Sequence, residues 1–150
     1  MRFLAPTLLA TILLLPAIAL GQSQRTVVTD AAALQRLRGN SGVTLQWIGF
    51  ETPGRGQVTV RDEGGLVHLT GGQRDAKGPG RVTLDGDVLA IGPREFSFRG
   101  RIVITDTPDP GRRCVRDGTF TFRATGTRRY WRLQQMEQCD GLTDYVDVYY

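Results

Sequence analysis

Histidine, lysine and cysteine are almost missing from this chain. Its 150 residues include one histidine (His68), one lysine (Lys77) and two cysteines (Cys114 and Cys139). A lone histidine, with no cluster of cysteine or glutamate around it, argues against a zinc centre or a histidine-based catalytic group. It reads instead as a residue on a strand surface or rim. No Gly-x-Ser-x-Gly, His-Glu-x-x-His, phosphate-loop or dinucleotide-binding string is present, so those catalytic classes have no footing in the sequence. No cofactor is implied. The net charge of +4 is ordinary for this length and does not argue for nucleic acid. After Leu20 no apolar run is long enough to span a bilayer.

What is present begins with an address. Arg2 precedes an apolar run, Phe3 to Leu20, broken only by Thr7, Thr11, Pro6 and Pro16. Small residues then fall at Ala17/Ala19 or Ala19/Gly21, an A-x-A-like cleavage spacing, before polar Gln22-Ser23-Gln24. That is the layout of a secretory signal. Residues 1–21 are therefore read as a signal peptide and 22–150 as a single β-rich domain, periplasmic or secreted. In an oxidising compartment the two cysteines read as one disulfide, Cys114–Cys139.

Thr29-Asp30 can cap a short helix over Ala31–Arg38, and Gly39 can end it in the left-handed conformation. The rest reads as strands and turns. Val43, Leu45 and Trp47 share one parity, as do Val58 and Val60. Asp62 to Gly65 is a turn. Val82 and Leu84 lead into Asp85-Gly86, a dipeptide suited to a type I′ hairpin. Phe96, Phe98, Ile102 and Ile104 share a face across Gly100, where a bulge or bend is expected. Phe120 and Phe122 precede a Thr125-Gly126 hairpin, and Trp131 and Leu133 return against them. Val146 and Val148 give the last strand an inward face. Gly71–Gly80 and Asp106–Arg113 read as loops. Three apolar-x-apolar-x-Gly units start at Val67, Val82 and Phe96. They fit a parallel solenoid or an antiparallel meander, and Asp85-Gly86 favours the meander. The fold class is mainly β: a single antiparallel β-sandwich or up-and-down barrel, with a short N-terminal helix and one disulfide.

Two groups of residues carry candidate chemistry. Arg128, Arg129, Tyr130 and Arg132 lie together, with Arg128, Tyr130 and Arg132 on one strand face. Arginines beside a tyrosine can grip a phosphate, a sulfate or an acidic sugar through paired N–H bonds. Asp140, Asp144 and Asp147 surround a glycine turn and form a weak calcium candidate, since hard oxygen ligands suit that ion. Their spacing is not that of a calcium-binding helix-loop-helix. Glu95, beside Phe96, is the carboxylate nearest an apolar context.

The string Tyr130-Trp-Arg-Leu-Gln-x-Met-x-x-Cys139-Asp-Gly-x-Thr-Asp-Tyr-Val-Asp-x-Tyr-Tyr150 resembles the C-terminal signature of small exported bacterial proteins of uncharacterised function. The resemblance implies no activity. Taken together, the residues point to a non-enzymatic binding or interaction domain for an envelope or extracellular ligand, with an anion as the candidate. The alternatives are a small carboxylate-dependent hydrolase acting on glycans and a structural envelope protein. A hydrolase needs two carboxylates at a catalytic separation with one raised pKa.

Overall fold

The computed structural model describes residues 24–51 and 53–150. The signal-peptide reading of residues 1–21 lies outside them. In chain order the elements are β1 (Val27–Val28), α1 (Ala31–Arg38), β2 (Gly42–Leu45), β3 (Gln57–Glu63), β4 (Leu66–Arg74) and β5 (Arg81–Ile91). Then come β6 (Glu95–Thr105), β7 (Arg113–Arg123), β8 (Tyr130–Leu133) and β9 (Val146–Tyr149).

These strands form one sheet in the order β2-β9-β8-β7-β6-β5-β4-β3, with β1 added in parallel beside the end of β5. From β3 to β7, neighbours in sequence pair as antiparallel neighbours in space. That is the expected meander. The sheet curls until its ends meet, where Val43 and Gly56 exchange backbone hydrogen bonds of 2.9 and 3.2 Å. The architecture is thus a nearly closed antiparallel barrel rather than a sandwich.

A row of glycines explains how the sheet bends. Gly86, Gly100 and Gly118 stand opposite one another on β5, β6 and β7. A Cβ on Gly86 would lie 2.6 Å from the Gly100 Cα, and one on Gly100 would lie 2.5 Å from the Gly86 Cα. Only glycine allows backbones so close, and the missing side chains let the strands coil sharply. The Phe98 ring covers this weak point, with its Cζ 2.8 Å from the position of a Gly86 Cβ.

Several local expectations are corrected here. Asp85-Gly86 is not a hairpin, because β5 runs unbroken from Arg81 to Ile91. The turn preference of the dipeptide lost to the need for a glycine at a bend. Of the bulge or bend expected at Gly100, the bulge is absent, because the register shift falls between Val88 and Ala90. β4 continues through Gly71 and Gly72 to Arg74, so the loop before β5 is shorter than Gly71–Gly80. Arg113 belongs to β7 rather than to the preceding loop. Trp47 does not face inward. It lies in the turn after β2 and is 37 % exposed.

The helix has the expected bounds. Asp30 accepts a hydrogen bond from the Ala33 N–H at 2.8 Å, a standard cap. Gly39 has φ −90°, so it does not end the helix in the left-handed conformation. Asn40 does part of that work, its side-chain amide donating to the carbonyls of Leu37 and Val58 at 3.0 Å each. Ala33 and Leu37 join the core. The inward faces of the strands fill the barrel. Phe96 stacks on Phe122 at 4.9 Å, and Trp131 meets the Phe96 ring edge-on at 5.5 Å. Phe120, Phe122, Trp131 and Leu133 are all buried, as their alternation implies.

Candidate functional site

The segment between β8 and β9 is tied to β7 by a disulfide and a buried ion pair. The disulfide joins Cys114 on β7 to Cys139 in the segment between β8 and β9. Beside it, Arg116 sits on the inward parity of β7 and is fully buried. Its Nη2 donates to Asp144 Oδ2 at 2.6 Å, and its guanidinium also donates to the carbonyls of Gln135 and Met136. Arg112 donates to both Asp144 oxygens at 2.9 Å, and Trp47 Nε1 donates to Oδ1 at 2.9 Å. One buried carboxylate therefore accepts four hydrogen bonds. Burial pulls Arg116 below the usual guanidinium range; the Asp144 charge opposes this and Arg112 adds to it. For Arg112 the balance is reversed, because its hydrogen bond to Asp144 outweighs desolvation and raises it.

This geometry does not bring the calcium candidates together. Asp140 is exposed and accepts from Arg112 Nε at 3.2 Å, Asp144 faces the interior, and Asp147 is held by Arg132. Each carboxylate is already matched to a guanidinium. No group of three or more histidine, cysteine or acidic side chains among the described residues is placed to hold a metal.

Of the arginine and tyrosine candidates, Arg128 and Arg132 meet Tyr130 on the outer face of β8, β9 and β2, whereas Arg129 is fixed through its backbone. Arg132 grips Asp147 with two hydrogen bonds of 2.7 Å. Asp147 is 1 % exposed at its side chain and Arg132 is 17 % exposed. This hydrogen-bonded pairing raises the Arg132 pKa against an opposing desolvation. The guanidinium lies 4.0 Å from the Tyr145 ring and 5.2 Å from the Tyr130 ring. Tyr130 and Tyr149 are 5.2 Å apart. Outside them, Arg55 lies 3.7 Å above Tyr149, and Arg128 lies 5.6 Å from Tyr130. The result is a row, Arg55–Tyr149–Tyr130–Arg128, seated on a buried ion pair. Thr44 donates to the Tyr149 hydroxyl at 3.1 Å, and burial pushes that phenol's pKa up.

Arg128 and Arg129 are exposed and form no ion pair with a described carboxylate. Their backbone is fixed all the same. The Arg129 carbonyl accepts from the Tyr150 N–H at 3.0 Å, and the Arg128 carbonyl from the Tyr150 hydroxyl at 3.3 Å. Arg55 was not read from the sequence as part of this face, and no pattern near it would have revealed it. Tyr149 was legible only as the end of a docked strand.

The sequence matches the PM1083 family over residues 25–150. The chain belongs to that family. The matched span runs from just before β1 to Tyr150, so the barrel, both cysteines and the arginine–tyrosine face all lie inside the family's domain. A relative from Pasteurella multocida (strain Pm70), described as the uncharacterized protein PM1083, is 39 % identical over 117 residues. The aligned region covers 77 % of this chain and 74 % of that relative. No solved structure matches.

Several other polar side chains of the PM1083-family barrel pair across strands on its outer surface. His68 lies between two carboxylates, with Nδ1 2.8 Å from Asp87 and Nε2 2.9 Å from Asp85. Glu95 pairs with Arg123 at 2.7 Å, and Asp117 with Arg101 at 2.9 Å. Past β2, Gln73 organises the turn region. Its Oε1 accepts from the Leu45 N–H at 2.7 Å, and its amide donates to Gly49 and Gly54 carbonyls at 2.9 Å. A cleft of about 620 Å³ lies beside this turn, with Phe50 42 % exposed next to it.

Proposed function

We propose that this chain is an exported, non-enzymatic binding domain that takes an anionic ligand on the outer face of β8, β9 and β2. One observation carries the reading: the Arg55–Tyr149–Tyr130–Arg128 row, with exposed Arg129 next to Arg128 in the chain. A guanidinium laid on an aromatic ring keeps its N–H edges available for a phosphate, sulfate or carboxylate. The buried Arg132–Asp147 pair holds the tyrosines from below, so the cations sit on a rigid base. Export is supported by the disulfide, which belongs in an oxidising compartment, and by the signal-like composition of residues 1–21. The carboxylates Asp144, Asp147, Glu95 and Asp117 each face an arginine rather than a second carboxylate across a cleft, which favours binding over glycoside hydrolysis.

The test uses Arg128→Ser/Arg129→Ser and leaves Arg132 intact, because removing Arg132 would strand the buried Asp147. Co-sedimentation with phosphatidylglycerol vesicles, against phosphatidylcholine vesicles, measures the anion preference. The variant should lose most of the difference between the two vesicle types. A variant that sediments like the wild type would overturn the assignment.

A further inference from the structure

A second set of arginines lies elsewhere on the barrel, and folding gives no reason for it. The register places Arg74 on β4 directly opposite Arg81 on β5. Arg81 stands opposite Thr105 on β6, and Thr105 opposite Arg113 on β7. All three arginines are exposed on the outward face. Adjacent strands are about 4.8 Å apart, so the row from Arg74 to Arg113 crosses four strands in roughly 14 Å. Like charges placed directly opposite in a sheet repel and reduce stability. Folding alone would favour an acidic partner at one of these positions.

No such partner is supplied. None of Arg74, Arg81 and Arg113 forms an ion pair with a described carboxylate. The Arg81 Nε donates only to Thr105 Oγ1, at 3.1 Å. The two acids next in sequence are engaged in their own turns. Asp75 Oδ1 accepts from the Lys77 N–H at 2.8 Å, and Asp106 Oδ1 from the Gly111 N–H at 2.9 Å.

Beside the row runs a shallow groove of about 550 Å³, bounded by Arg55, Arg74 and Arg81, with no acidic residue in its lining. Its lining combines bare glycine backbone and polar groups with the small apolar side chains of Pro53, Ala76 and Val82. Gly56 and Gly72 line it, and a Cβ on either would fall within 1.9 and 2.2 Å of a neighbouring carbonyl oxygen, so neither position admits a side chain. Gln57 and Thr83 are exposed along the same groove.

We infer that an acidic polysaccharide lies across β3 to β7, its sugar rings over the glycine floor of this groove, its negative groups on Arg74 and Arg81 at the groove's edge and on Arg113 beyond it. Arginine suits carboxylate, sulfate and phosphate alike through paired N–H bonds. Bare backbone allows the flat face of a sugar to come close, and an amide and hydroxyls are at hand for its hydroxyl groups. The arginines are spread over four strands, so one small anion cannot engage them all while a chain can. This site borders the tyrosine face at Arg55, but Arg74, Arg81 and Arg113 take no part in that face.

The experiment is isothermal titration with a heparin-derived octasaccharide, a heparin disaccharide and neutral dextran. The wild type should bind the octasaccharide at least about tenfold more tightly than the disaccharide, and dextran not at all. Arg74→Ser/Arg81→Ser should weaken octasaccharide binding by at least about tenfold and remove the length dependence. In an Arg128→Ser/Arg129→Ser background, which silences the tyrosine face, the octasaccharide should still bind more tightly than the disaccharide and should still lose at least about tenfold on adding Arg74→Ser/Arg81→Ser, which separates the two sites. Thermal melting gives an independent reading, since relieving the Arg74–Arg81 repulsion should leave the double variant melting no lower than the wild type. Octasaccharide affinity unchanged in Arg74→Ser/Arg81→Ser, equal affinity for dextran, or a marked drop in melting temperature would each overturn the inference.

Discussion

Converting Asp144 to asparagine should be among the most damaging single changes in the barrel. The carboxylate and the Arg116 side chain are both 0 % exposed, and Arg112 is 6 % exposed. Asparagine keeps the shape and one oxygen but removes the only buried negative charge facing two guanidinium groups. It also turns an –NH₂ toward donors that have nothing to accept. Breaking a buried pair by neutralising one member costs about 3–5 kcal/mol, because the other charge is left without compensation. A domain of this size has a total stability of about 5–15 kcal/mol, so Asp144→Asn should leave it near the edge of folding. At roughly 3–5 °C per kcal/mol, the melting temperature should fall by roughly 9–25 °C. Urea denaturation followed by tryptophan fluorescence is the natural assay, since Trp47 donates to the same carboxylate. A loss below about 1 kcal/mol would refute the reasoning, because that is the range of a solvated surface pair. Adding Arg116→Met to Asp144→Leu should recover part of the loss, as apolar replacements of buried ion pairs often do. Asp140→Asn, which touches the same arginine from an exposed position, is the matched control and should change little.

Two further expectations concern the sheet itself. Gly100→Ala should destabilise by about 1–3 kcal/mol, because its methyl group would press on the Asp85 carbonyl, 2.2 Å away, and on the Gly86 Cα; a wild-type urea midpoint would show that the β5–β6 bend is adaptable. The His68 pKa is raised from 6.5, chiefly by its hydrogen bond to Asp87 and further by Asp85, against burial. Its contribution is therefore complete below pH 6.5 and is lost as pH rises through the folded-state value. The urea midpoint should decline across that window in the wild type and change less in Asp87→Asn, and an equal decline in both would remove His68 as the cause.

Much of the fold was legible because alternation is a local signal. The inward parity of β6 and β7 can be read from Phe96, Phe98, Phe120 and Phe122 without knowing what lies beside them. The helix bounds were equally plain from Asp30 and Gly39. What failed was glycine, because the same residue marks a turn when its needs are local and a bend when they come from a neighbouring strand. Gly86 looked like the first kind and is the second. Trp47 failed for a related reason: the parity it continued stops being strand after Leu45. On the candidate face, Arg128, Arg129, Tyr130 and Arg132 could be grouped because one hairpin arm carries them. Arg55 could not, since it reaches Tyr149 only through barrel closure. The Arg74–Arg81–Arg113 row was invisible for the same reason. Register, not spacing, sets those residues side by side, and the sequence does not declare register.

The seam between β2 and β3 has a consequence for how the molecule is made. β2 is among the first strands synthesised, yet all four of its residues pair with β9 and only Val43 reaches across to Gly56. Thr44 and its contact Tyr149 are 105 residues apart. The meander from β3 to β7 can zip up hairpin by hairpin as it emerges, but β2 must wait, half-partnered, for the chain to be nearly complete. The sheet would thus stay an open ribbon until β9 emerges and close only then.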